Sequence, residues 1–222
     1  FKGGPVYAWE PQKGSHIGIM PRNGSVKDLK WFRGEASYVF HPMNAFTVDD
    51  GKIVCDVCEY PEAPLFPGVD GQPGDPKKAL AKLVRWTFDL NAQTDRYQVE
   101  QLDDLVCEFP RLDERRAGLS YRFGYFAGDT QPPEKVGGFN VIAAIDHQTG
   151  KLSSYDVGEG CATSEPIFVP RSASCEEGDG FLLAYVFDAN RAASHMVVLD
   201  AQNVADGPLA KASTVFELFK VI

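Results

Sequence analysis

The chain has 222 residues, 44% of them hydrophobic and 24% charged, which fits a folded, soluble domain with a sizeable core and excludes a disordered chain. Its formal net charge is −9 and it has no basic runs, which argues against nucleic acid and anionic membrane surfaces as partners. No apolar run approaches the roughly 18 residues that a membrane-spanning helix requires.

The chain opens on Phe1-Lys2-Gly3-Gly4-Pro5, with neither an initiator Met nor a leader-like run, and this is expected to be an internal point of a longer protein. Val6-Tyr7-Ala8-Trp9 and His16-Ile17-Gly18-Ile19-Met20 read as a strand pair across the turn from Glu10 to Ser15. Next comes Tyr38-Val39-Phe40-His41-Pro42-Met43-Asn44-Ala45-Phe46, an apolar strand with a histidine in its middle. Pro42 removes a ladder donor and presses His41 toward extended backbone, so a bulge or strand end is expected there. Two readings of His41 follow. It is a core imidazole satisfied by a backbone carbonyl, or a metal ligand in its neutral form.

After the turn Asp49-Asp50-Gly51, Lys52 to Tyr60 reads as a strand containing Cys55-Asp56-Val57-Cys58. Residues three apart on a strand face opposite sides, so the two thiols are expected to be reduced packing residues and not one metal site. Five cysteines with no secretory signal favour a reducing cytoplasm. Pro61 to Pro76, rich in Pro and Gly, is too long for a hairpin turn and is expected to be a loop over one face of the fold.

Three further hairpins follow one plan. Leu83–Phe88 turns through Asp89–Asp95 into Tyr97–Glu100, Val141–Ile145 turns through Asp146–Gly150 into Lys151–Tyr155, and Phe181–Phe187 turns through Asp188–Arg191 into His195–Leu199. Each turn opens on an Asp that can close it through its side chain. The recurrence, at roughly 40 to 60 residues, is near the length of a four-stranded propeller blade, so an all-β propeller is expected. A large β-sandwich would also supply hairpins, but needs no such period.

The signatures of common hydrolases, phosphate-binding loops and zinc proteases are absent from the sequence. Two carboxylates stand at apolar strand ends, Glu108 in Cys107-Glu108-Phe109-Pro110 and Glu165 in Ser164-Glu165-Pro166-Ile167. A buried carboxylate needs a partner, and the N–H of a metal-bound imidazole is one; the plainer reading is two turn or rim carboxylates. His16, His147 and His195 lie in no ligand motif and are expected to have structural or solvent roles.

Phe40-His41-Pro42-Met43-Asn44-Ala45, Glu108-Phe109-Pro110 with Asp113-Glu114-Arg115-Arg116, and Ser164-Glu165-Pro166-Ile167-Phe168-Val169-Pro170 occur in one order, with Trp9-Glu10-Pro11 and Met20-Pro21-Arg22 before them. Together with the late run from Gly180 to Asp200, they resemble the carotenoid cleavage oxygenases, most closely the bacterial lignostilbene-type dioxygenases. The resemblance covers nearly the whole chain, residues 1–222 then forming one partial domain. It implies a seven-bladed β-propeller carrying Fe(2+) on its axis between four histidines, three of them backed by carboxylates. His41 then falls on the third iron ligand, Glu108 on the carboxylate behind it and Glu165 on the carboxylate behind the fourth. The resemblance places the first two ligands in a part expected to precede Phe1, and the fourth is missing where residues 211–222 depart from the family pattern. The implied activity is oxidative cleavage, by dioxygen, of a conjugated C=C bond in a small apolar stilbene or apocarotenoid. The alternative is a metal-free partial propeller that acts as a binding module.

Overall fold

The computed structural model describes residues 5–49, 51–131 and 138–213. Among these residues the regular elements are fourteen strands and four three-residue 3-10 turns, and no helix is long and apolar enough to cross a membrane. β1 (Ser15–Ile19) and β2 (Lys30–Gly34) form an antiparallel pair. The next seven strands build one antiparallel sheet in chain order: β3 (Tyr38–Asp49), β4 (Lys52–Tyr60), β5 (Lys82–Asp89), β6 (Gln98–Leu112), β7 (Phe123–Asp129), β8 (Val141–Asp146) and β9 (Lys151–Asp156). The last sheet holds β10 (Cys161–Thr163) and β11 (Ile167–Pro170), both paired with β12 (Gly180–Asp188), followed by β13 (Ala193–Asp200) and β14 (Pro208–Ser213).

Two features divide these sheets into groups of four. β6 changes partner along its length: Gln98 to Gln101 pair with β5, Val106 pairs with both Lys82 of β5 and Asp129 of β7, and the residues from Cys107 to Leu112 that stay in the ladder pair with β7. β10 and β11 lie along the same edge of β12, interrupted at Ser164-Glu165-Pro166. Pro166 has no N–H to give the ladder and holds Glu165 extended, which accounts for the interruption.

The three expected hairpins form as β5–β6, β8–β9 and β12–β13. Their aspartates close the turns as their chemistry requires. Asp89 Oδ1 accepts from the Asn91 and Ala92 N–H groups, Asp146 Oδ1 from Gln148, and Asp188 Oδ1 from Asn190. The expected first strand pair does not form. Val6 to Ala8 are not in a strand, Trp9 makes an isolated bridge to Gly68, and β1 pairs with β2 instead. Pro11 opens a 3-10 turn and Gly14 takes φ 66, which sends the chain away from an antiparallel return. Residues 6–9 lie instead against the Pro61–Pro76 loop, with the Tyr7 ring 5.8 Å from Phe66.

β4 shows why alternation matters. Cys58 packs with Met43, Leu83 and Phe126, whereas Cys55 packs on the opposite side with Phe32, Trp86 and Phe88. The two thiols therefore cannot meet, and burial pushes Cys55 up to about 12. Cys58 meets Cys107 instead, Sγ to Sγ at 3.5 Å, both as free thiols.

Between them on β4 lies Asp56, fully buried. Its carboxylate accepts two hydrogen bonds of 2.7 Å from Arg85, its cross-strand neighbour on β5, and one of 2.5 Å from the Tyr121 hydroxyl. A buried carboxylate persists only when fully paired in this way. Asp56→Asn is expected to destabilise the fold by about 3–5 kcal/mol, since it strands the guanidinium. Tyr121→Phe is expected to lose about 2 kcal/mol, one charge-assisted hydrogen bond. Urea unfolding checks both, and a loss below about 1 kcal/mol for Asp56→Asn would contradict the account.

Candidate functional site

His41 sits on β3 where the ladder to β4 slips. Val39 pairs with Glu59, Pro42 with Val57 and Asn44 with Asp56, so the register shifts on both sides of Pro42. The missing Pro42 N–H is the local cause. The irregularity brings the imidazole out of the sheet, and its side chain is 47% exposed. Phe40 and Phe109 flank the ring, with centroids at 6.2 and 5.2 Å. Phe40 is itself in edge contact with Tyr38 and Tyr60, and Tyr38 with Phe66 of the long loop.

Glu108 comes from the second part of β6, also at an irregularity. The ladder to β7 passes from Glu108 opposite Ala127 to Arg111 opposite Tyr125, so two residues of β6 face one of β7, a bulge. Within it Phe109 has φ 55, a left-handed conformation that costs a bulky residue about 1–3 kcal/mol. Glu108 Oε2 accepts from His41 Nδ1 at 2.7 Å and from the Phe109 N–H at 2.6 Å. Oε1 is buried without a well-formed hydrogen bond. The nearby Tyr60 phenol is pushed up, first by burial and then by the Glu108 charge.

An ionised carboxylate can only accept, so in the neutral form that a metal ligand requires, Nδ1 would carry the proton and Nε2 would keep its lone pair. Among the described residues nothing hydrogen-bonds Nε2. That is the donor a metal ion needs: a neutral, oriented imidazole nitrogen on an exposed edge. His41 and Glu108 therefore fit the role of one metal ligand and its supporting carboxylate. No group of three or more His, Cys, Asp or Glu among the described residues could hold a metal ion, so the residues supply one donor and not a closed cage.

Glu165 stands in the break between β10 and β11. Its partner is a cation: Arg111 Nη1 donates to Glu165 Oε1 at 3.2 Å, and the same guanidinium binds Glu114. Arg111 lies just past the Phe109 bulge, so it ties the second half of β6 to this break. No histidine meets Glu165 among the described residues. Residues 214–222, within the stretch that departs from the family pattern, lie outside them.

Sequence reasoning weighed the cysteines of Cys55-Asp56-Val57-Cys58 and passed over the aspartate. A carboxylate centred in an apolar strand was the available signal for the Asp56–Arg85–Tyr121 network. The left-handed Phe109 had no comparable signal, since phenylalanine is among the residues least expected there.

The family model for the retinal pigment epithelial membrane protein matches residues 1–218, and the chain belongs to this family, which includes the carotenoid cleavage oxygenases. It is 37% identical to the isoeugenol monooxygenase of Pseudomonas putida over 96% of this chain and 46% of that protein. Its fold superimposes on the crystal structure of Pseudomonas brassicacearum lignostilbene dioxygenase with a TM-score of 0.91 at 34% identity, over 97% of this chain and 47% of the other. Against the cobalt-substituted Synechocystis apocarotenoid oxygenase the TM-score is 0.80 at 28% identity, over 93% and 42% of the two chains. The chain spans about half the length of the relatives it matches.

The other three histidines stand in other surroundings. His16 is exposed, with Nε2 3.1 Å from the Lys13 carbonyl. His195 lies on β13, and burial lowers its pKa. His147 opens the β8–β9 turn; its backbone N–H donates to the Arg122 carbonyl and its ring meets Tyr121 at 4.7 Å. Its Nε2 is buried without a hydrogen-bond partner, and burial holds the imidazole below its ordinary value although Asp56, Asp146 and Glu177 oppose the shift. The sign follows by linkage. The unfolded chain takes up this proton near pH 6.5 and the folded chain only at lower pH, so the stability is complete above about 6.5 and declines below it. His147→Phe is expected to flatten that decline. Urea midpoints at about pH 7.5 and about pH 5 test it, and an unchanged slope in the variant would count against it.

Proposed function

We propose that the protein containing this chain is a non-haem iron(II) oxygenase that uses dioxygen to split a conjugated C=C bond into two carbonyl products, with His41 as one of its iron ligands. The observation that carries the reading is the contact between His41 Nδ1 and the buried Glu108 carboxylate at 2.7 Å. Relatives named for oxygenase activity, and a structural neighbour that holds cobalt in its solved form, support it. When bound, the iron would supply a divalent centre with open positions for dioxygen.

The residues on this chain have definable tasks. His41 offers Nε2. Glu108 fixes the tautomer and the ring plane. Phe40 and Phe109 wall the imidazole with apolar surface that keeps water from its sides and suits a flat, conjugated substrate. Glu165 is proposed as the carboxylate behind a further histidine, with Arg111 holding it meanwhile.

The architecture fits this reading as part of a seven-bladed propeller. Each four-stranded group would be a blade, and β3, the second part of β6, and β10–β11 would be inner strands. Those are the strands that carry His41, Glu108 and Glu165. For substrate, we favour an aryl alkene of the stilbene type over an apocarotenoid, because the relatives named for isoeugenol and lignostilbene have the higher identities. The free thiols suit a reducing cytoplasm. The competing reading, a metal-free partial propeller serving as a binding surface, draws on the single oriented imidazole among the described residues.

In the full-length protein His41→Ala is expected to lose bound iron and carbonyl-forming activity, and Glu108→Gln to weaken metal binding about 10–100-fold. The 222-residue chain alone is expected to bind iron weakly and to cleave nothing. Metal analysis and aldehyde detection on a stilbene substrate check these outcomes. Stoichiometric iron in the His41→Ala protein would defeat the ligand assignment, and an active isolated chain would defeat the account of a shared site.

A further inference from the structure

We infer that Phe109 is a positioning residue for His41: its left-handed backbone turns its own N–H onto the carboxylate that orients the imidazole, and its ring braces that imidazole from the side. The inference rests on the reading of His41 as an iron ligand.

In an extended strand the N–H of residue 109 would point along the ladder toward a neighbouring strand. The bulge removes it from the ladder, since the pairing passes from Glu108 to Arg111. At φ 55 the N–H donates at 2.6 Å to Oε2 of the preceding side chain. The same oxygen accepts from His41 Nδ1. Its two lone pairs are then both engaged, so the carboxylate cannot swing off the imidazole without breaking the Phe109 bond as well.

The choice of residue is the second observation. Glycine occupies this conformation freely, and a bulge of this kind would be easier to form with it. Phenylalanine at φ 55 persists where its side chain is put to use. The Phe109 ring lies 5.2 Å from the imidazole at 40° and in edge-to-face contact with Phe139 at 5.7 Å. The Phe109 ring is therefore itself held between His41 and Phe139. Of the two non-glycine residues with positive φ among those described, Ala192 lies in the turn before β13 and Phe109 alone is inside a strand.

The test uses the full-length protein with Phe109→Gly, Phe109→Leu and Phe109→Tyr, and His41→Ala as the reference. Cobalt(II) and iron(II) dissociation constants, and the ring nitrogen chemical shifts of His41 in metal-free protein, are the readouts; melting temperature is the control for folding. Phe109→Tyr is expected to match the parent within about twofold, and Phe109→Gly to bind either metal at least about tenfold more weakly. In Phe109→Gly the backbone bond to Glu108 can persist, so the His41 shifts should keep the Nδ1–H tautomer while metal affinity falls with the lost ring, without loss of melting temperature. Phe109→Leu, which keeps bulk without a flat ring, should fall between them and carries the test if the glycine variant does not fold. Parent-like metal affinity in the glycine or, failing that, the leucine variant would overturn the inference, provided His41→Ala loses the metal. If His41→Ala keeps the metal, the ligand reading fails and this inference falls with it.

Discussion

A carboxylate with 3% of its surface exposed has to be hydrogen-bonded or neutralised, and Glu108 is held by bonds that only an irregular strand could supply. The donors are one imidazole from β3 and one backbone N–H from the bulge that follows. A regular β6 would pass that N–H to β7 and leave the buried charge one donor short, at a cost of several kcal/mol. The bulge is thus part of how the charge is accommodated. It also occurs where β6 has left β5 for β7, so the same bend joins two groups of strands and places the carboxylate beside β3.

The surroundings keep this junction in place with polar ties of the same kind. Asp56, Arg85 and Tyr121 lock β4 and β5 to the segment that leads into β7. Asn44, three residues from His41, accepts from the Gly118 N–H and donates to the Leu119 carbonyl, fixing the loop after β6. Arg115 in that loop binds Asp113 and also donates to the carbonyls of Ala173 and Cys175, which draws in the connection between β11 and β12. Apolar burial holds the strands together, but it is non-directional. These directional bonds are what fix where the strand ends lie, and therefore where His41, Glu108 and Glu165 stand.

Family membership gives the site its chemical context, and the geometry limits what this chain contributes to it. One oriented imidazole, one buried carboxylate and an aromatic wall would make a portion of the proposed metal centre. Because each imidazole adds to the affinity of such a centre, a single one is a weak site by itself. The neighbours that match at TM-scores of 0.91 and 0.80 are each about twice as long, and the proposed activity belongs to a protein of that length.

What was legible in the sequence came from local rules. Alternating apolar runs marked the strands, Asp at the end of each apolar run marked three turns, and opposite-facing residues on β4 separated Cys55 from Cys58. His41 and Glu108 were legible as polar groups lodged in apolar runs, and the resemblance paired them. Local rules misplaced Val6–Trp9, because an apolar run becomes a strand only if a partner edge lies within reach, and here β2 takes that edge. They also passed over Asp56, whose meaning depends on a guanidinium across the ladder and a phenol from a distant segment. The left-handed turn at Phe109 was beyond them altogether, because its stabilisation comes from a charge, an imidazole and a second aromatic ring brought together by three different parts of the chain. A run's propensity to form a strand is set by its neighbours in sequence. The fit of a strained or charged residue is decided by neighbours in space, and only the folded chain supplies those.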